Sequence, residues 1–111
     1  MNRIHLTSAF LALALLTGCA PSKQEYAAIQ ETVRGSAKAR KLAMSECTAH
    51  WSPLQRKNAS IILDVSEKSA PGIACSRLVQ AVRSGKLTYR DAVDMIRGKA
   101  TPKIIKILQG R

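Results

Sequence analysis

Long apolar runs, aromatic side chains, histidines and acidic residues are all scarce in this chain, and each scarcity excludes something. The longest apolar run, Ala9 to Leu16, falls far short of the roughly 20 residues a helix needs to cross hydrocarbon, so a permanent transmembrane helix is the poorer reading. With two histidines and three cysteines there is no metal-spaced ligand set. A Gly-x-Ser-x-Gly elbow, a phosphate-cradling glycine loop and a His-Glu-x-x-His pair are missing as well, and no enzyme is expected. Beyond Phe10 the aromatics are Tyr26, Trp51 and Tyr89, too few for a base-stacking platform, and Lys and Arg are scattered and not run together. Nucleic acid is therefore not expected as a partner. Seven Asp and Glu cannot build the acidic face that an inhibitor of a basic lysozyme needs.

The amino terminus has what an export signal requires: Arg3, the apolar run, then the small residues Thr17 and Gly18 before Cys19. A core helix is a poor alternative, since the run has no polar face and stops at Gly18. Leu16-Thr17-Gly18-Cys19 resembles the lipobox of bacterial lipoprotein precursors. That resemblance implies a diacylglycerol on the Cys19 thiol through a thioether, cleavage between Gly18 and Cys19, and an N-acyl chain on the freed amine. Two or three acyl chains hold a protein on a membrane where one binds only marginally, at about 0.8 kcal/mol per buried methylene. The competing reading is ordinary secretion with cleavage after Ala20, because Gly18 and Ala20 also make a small-x-small site. Under the lipobox reading Ala20, not Asp, is the second mature residue, which by resemblance to enteric sorting rules implies the periplasmic face of the outer membrane. The expected organisation is a signal peptide over 1–18, a lipid-anchored tether over 19–24 and one helical domain over 25–111.

Losing residues 1–18 leaves 93 residues, enough for one core and too few for two. Arg3 goes with them, so 17 Lys and Arg face 7 Asp and Glu, a formal +10 that argues for an anionic environment or partner. Cys47 and Cys75 are then the remaining thiols, and in an oxidising compartment they are expected to pair within one molecule. Two readings compete through His50, one helical turn after Cys47: a metal site with Cys75, or a thiolate–imidazole nucleophile. A closed zinc site wants four ligands, and a nucleophile needs a thiol kept free of oxidation.

Hydrophobic periodicity predicts an all-α fold, a small bundle of four to five helices with one intramolecular disulfide. Ser22 to Glu25 reads as a capping box, followed by an apolar face of Tyr26, Ile29, Val33, Ala37, Met44, Cys47 and Trp51 that Gly35-Ser36 either kinks or restarts. Ser52-Pro53 opens a second helix carrying Leu54, Ile61, Ile62 and Val65. Ile61 to Val65 could pass for a strand, yet no other β-branched run exists to pair with it. Pro71-Gly72 reads as a break before a third helix with Cys75, Leu78, Val79 and Val82, which Gly85 stops. Thr88 starts a fourth, with Tyr89, Ala92, Val93 and Ile96 on one face and Gly98 closing it, and Thr101-Pro102 caps a short last one with Ile104, Ile105 and Leu108.

The hairpin from Leu78 to Gly98, with Ser84-Gly85-Lys86-Leu87-Thr88 at its turn, is similar to the SHOCT domain, a short helical hairpin of bacterial proteins, and that similarity implies a role in oligomerisation. It covers about a fifth of the chain, with Asp91 where Glu is usual and Ala92 where a large apolar residue is usual. An ordinary capped αα-turn explains the same residues.

Two functional readings remain. One is a non-enzymatic, membrane-anchored envelope lipoprotein that acts as a structural or assembly module for another envelope protein, as an accessory to an envelope machine. The alternative is a binder of lipid head groups, lipopolysaccharide or cell-wall carboxylates through Arg34, Lys38, Arg40, Lys41, Arg56 and Lys57. Asp91 and Asp94, one turn apart, are expected to sit on a solvated face paired with Arg90 and Arg97, and His50 to be a partly buried packing residue beside Trp51.

Overall fold

Side-chain caps start most of the helices in the computed structural model, which describes residues 20–111; the expected signal peptide over 1–18 and the expected lipidation site Cys19 lie outside the described residues. Ser22 Oγ accepts from the Glu25 N–H at 3.1 Å while Glu25 Oε1 accepts from the Ser22 N–H at 3.3 Å, closing the capping box of α1 (Lys23–Gly35). Ser36 is extended, with φ −135° and ψ 114°; it ends α1 and turns its hydroxyl to the Ala39 N–H at 3.0 Å, starting α2 (Ala37–Thr48). Ser52 and Gln55 form a second capping box ahead of α3 (Pro53–Leu63). Then follow α4 (Ala70–Ser84), α5 (Tyr89–Ile96) and α6 (Pro102–Leu108), the last two begun by Thr88 and Thr101.

The described residues are thus all-helical, with six helices where four to five were expected. The additional one comes from Ser36, whose cap makes two helices of one apolar face. Pro71-Gly72 is not a break either. Both residues lie in the first turn of α4, where the missing proline N–H would have had no intrahelical acceptor. No helix of the described residues is long and apolar enough to cross a membrane.

The centre of the molecule is α4, on which α1, α2, α3 and α6 all pack. Its buried positions are small: Ala70, Ala74, Cys75 and Ala81. Short side chains let four helices approach one axis, and the larger residues that fill the space come from the neighbours. Leu63 of α3 lies against Ala70 and Ala74, with Trp51, Ala59, Val65 and Leu108 around them. Toward the other end, Leu87 and Ile107 close over Ala81, with Leu78, Val82, Ala92 and Met95 packed on the outside. Cys47 and Cys75 are joined, with Cα atoms 5.8 Å apart, the ordinary span of a disulfide. This bridge has particular weight for α2, which contains no fully buried residue and is tied to α4 through it.

The face presented by α3 differs from the expectation. Leu54, Ile61 and Ile62 are exposed, while Ala59 and Leu63 point inward. Two stripes on this helix are apolar, and the narrow alanine surface of α4 takes the one that carries a single large side chain.

Candidate functional site

Part of the positive charge has an internal task. The last carbonyls of a helix lack intrahelical donors and carry a partial negative charge, so a cation placed there is stabilising. Tyr26, Gln30 and Arg34 stand four residues apart along α1 and reach across to the end of α4. The Tyr26 hydroxyl donates to the Leu87 carbonyl, Gln30 Nε2 to Val82 O at 3.1 Å, and Arg34 Nε to Arg83 O at 2.8 Å. Gly85 turns the chain there with φ +83°, which calls for glycine, and a Cβ on it would lie 3.3 Å from Arg34 Nη2, so the guanidinium would have to shift slightly. Arg40 Nη1 donates to Val33 O and Arg34 O at the end of α1. Arg77 Nη1 and Lys86 Nζ donate to Leu108 O and Arg111 O, each at 2.6 Å, at and just beyond the end of α6.

Two of the six cations singled out from the sequence, Arg34 and Arg40, therefore hold helix ends; Arg34 also pairs with Glu31 at 2.8 Å. Lys38 and Lys41 are exposed on α2 and Lys57 on α3, while Arg56 is half-buried. None of the six lines the cleft found among the described residues. This shallow cleft of about 270 Å³ lies along Ser76, Gln80 and Ser84, and its two cations are Arg77 and Lys86, already committed to the carbonyls near the end of α6.

Asp91 departs from the sequence reading. It is 7% exposed and pairs with Lys103 of α6 at 2.6 Å, not with Arg90 or Arg97. Its Oδ2 also accepts from the Thr88 N–H and the Thr88 hydroxyl, both at 2.9 Å. A carboxylate so engaged is a structural tie between α5 and α6, not half of a paired-carboxylate acid–base site. Burial alone pushes its carboxyl up. The hydrogen bonds from Lys103 and Thr88, with the Lys103 charge, outweigh that and hold it below the usual carboxylate range. Tyr26 lies close by, its ring 6.1 Å from that of Tyr89. Burial first, and then the negative charge of Asp91, push the Tyr26 phenol up, so it stays protonated and keeps donating to Leu87.

A depressed folded pKa contributes stability that is complete above the unfolded pKa of about 4 and is lost as pH falls through the folded value. The Asp91→Asn variant is expected to lose about 1–3 kcal/mol at neutral pH and to show a flatter decline of stability below about pH 4. Urea unfolding at a series of pH values checks both, and parallel curves for the two proteins would refute the tie.

His50 is exposed, with φ 62°, at the turn between α2 and α3, and so is not the packing residue expected. Trp51 beside it is half-buried and donates its indole N–H to Cys47 O at 2.7 Å. Among the described residues, with Cys47 and Cys75 joined, His50 faces no free thiol and no three His, Cys, Asp or Glu side chains gather as metal ligands.

The other surface feature is apolar and was not anticipated. Leu42 of α2 is 62% exposed, and on α3 the values are 66% for Leu54, 72% for Ile61 and 39% for Ile62. A signal for it was present: Ala59 and Leu63 form a second i, i+4 stripe, and a helix on a core surface buries only one. No protein-family model, no curated protein and no solved structure matches this chain.

Proposed function

We propose that this chain is a non-enzymatic lipoprotein of the cell envelope. It is cleaved before Cys19, acylated there, and held at the periplasmic face of a membrane, the outer one by the Ala20 rule, where its helical body serves as a structural or assembly module for another envelope protein. The observation that carries the interaction role is the set of large aliphatic side chains, Leu42, Leu54 and Ile61, left outside a core that is closed without them. Large apolar side chains left in water on so small a body favour contact with another surface. The Cys47–Cys75 bridge accords with an oxidising compartment.

Cys19→Ser is expected to abolish incorporation of labelled fatty acid, because serine cannot form the thioether, and to leave the protein unprocessed or released from the membrane. Equal labelling of both versions would refute the lipoprotein reading. Cross-linking of the acylated protein in its native envelope, followed by identification of the adduct, tests the assembly role.

The second reading, an anionic-ligand binder, is favoured by the exposure of Lys38, Lys41 and Lys57. Salt separates the two: attraction of exposed cations to head groups decays over a screening length of about 8 Å in physiological buffer, while docking through aliphatic side chains persists.

A further inference from the structure

We propose that the outward face of α3 seats the protein on an anionic bilayer surface, with Leu54 and Ile61 entering between the head groups and Lys57 pairing with them. At 3.6 residues per turn, seven residues bring Leu54 and Ile61 within about 20° of each other on the helix, and they are among the most exposed large hydrophobic residues. Lys57 lies about 60° to one side of Leu54 and Asn58 about 40° to the other, while Leu63 points the opposite way into the core. This helix is therefore apolar on two sides, and packing accounts for only one.

Charge selects the occupant. From Cys47 to Leu63 there is no acidic residue, and the charge beside Leu54 and Ile61 is Lys57, while Arg56 lies about 160° round the helix from Leu54 and is half-buried. A second copy of the chain would bring Lys57 against a body of the same sign, so self-association through this face is opposed. Leu54 and Ile61 stand two turns apart on one side of the helix, a spacing that lets both enter the soft boundary of head groups and acyl chains. A lysine beside such a pair can lay its methylenes along the apolar surface and keep its ammonium at the phosphates. The proposal gives Leu54 and Ile61 of α3 to the bilayer and leaves Leu42 of α2 to a protein partner; it deepens the membrane-anchored reading by giving the domain a second contact and hence an orientation, and it rests on that reading only for location.

The test uses the full chain reconstituted in vesicles, with the photoreactive residue p-benzoylphenylalanine at Asn58 and, as a control, at Gln80 on α4; both positions are exposed. In phosphatidylglycerol vesicles the lipid adduct is expected to form several-fold more at Asn58 than at Gln80, and to fall in phosphatidylcholine. Lys57→Gln should lower it by up to about fivefold, the effect of one cation at an anionic surface. Replacing Leu54 and Ile61 by Asn should remove the difference between the two positions, with an unchanged melting curve showing that the fold is kept. Equal adducts at both positions, indifference to lipid charge, or an adduct at Asn58 to protein or to the chain itself would overturn the proposal. Labelled fatty acid on Cys19 is read in the same samples. A chain without acyl label that still marks lipid from Asn58 upholds this contact while the anchored reading fails, and the reverse pattern sinks this contact alone.

Discussion

Cys47→Ala and Cys75→Ala are each expected to lower stability by about 3–4 kcal/mol, and the double variant by little more than either. The two cysteines are separated by 28 residues, and closing a loop of that length gives this figure on the chain-entropy account. Both variants lose the same staple, so their effects overlap and do not add. The loss is also local. Because α2 has no fully buried side chain, its amide protons should lose protection from exchange well before those of α4, whose Ala70, Ala74 and Cys75 lie at the centre of the packing. Replacing Cys75 by Ser should cost more than Cys47→Ser, because Cys75 is fully buried and a hydroxyl there needs a partner that the apolar surroundings do not offer. Denaturant unfolding and hydrogen exchange of the oxidised and substituted proteins check these outcomes. Alkylation of two thiols in non-reduced protein purified from an oxidising compartment would refute the bridge.

Leu63→Ala should destabilise by about 2–5 kcal/mol, whereas Ile61→Ala, two residues earlier on the same helix, should change stability by no more than about 0.5 kcal/mol. Leu63 is the large side chain that fills the space over Ala70 and Ala74, and its removal leaves a cavity that short neighbours cannot close. Ile61 is largely in water already, and alanine is the better helix former. Urea midpoints of the two variants measure the contrast. Equal losses would show that α3 buries both stripes.

That contrast marks where sequence reasoning ends. The helix starts at Ser22, Ser52, Thr88 and Thr101 are legible because each is a contact over three residues, between a side chain and a nearby N–H. Gly85 is legible as a stop for the same local reason. The start of α4 is not, since Ser69 is helical in conformation and makes no side-chain cap, which leaves Pro71-Gly72 to look like a break. On α3 the row of Leu54, Ile61 and Ile62 scores higher than Ala59 and Leu63, and only the small surface of α4 decides which of them is buried. The bridge between Cys47 and Cys75 follows from having two thiols once Cys19 is set aside. The roles of Arg34 and Asp91 are invisible locally, because Arg83 O lies 49 residues from Arg34 and Lys103 sits a helix away from Asp91. Charge alone therefore does not separate the cations that hold helix ends from those that face outward.

The bridge also sets how the domain responds to being pulled. Force applied between the amino-terminal and carboxyl-terminal ends would peel α1 and nearly all of α2, then meet a covalent stop at Cys47. Load would pass directly from Cys47 to Cys75, so the intervening α3 and the first turns of α4 would carry none of it. The chain closed by that loop, a sequence separation of 28 or about 95 Å at roughly 3.4 Å per residue, would be withheld from the extension, making the protein a tether with a built-in limit on its length.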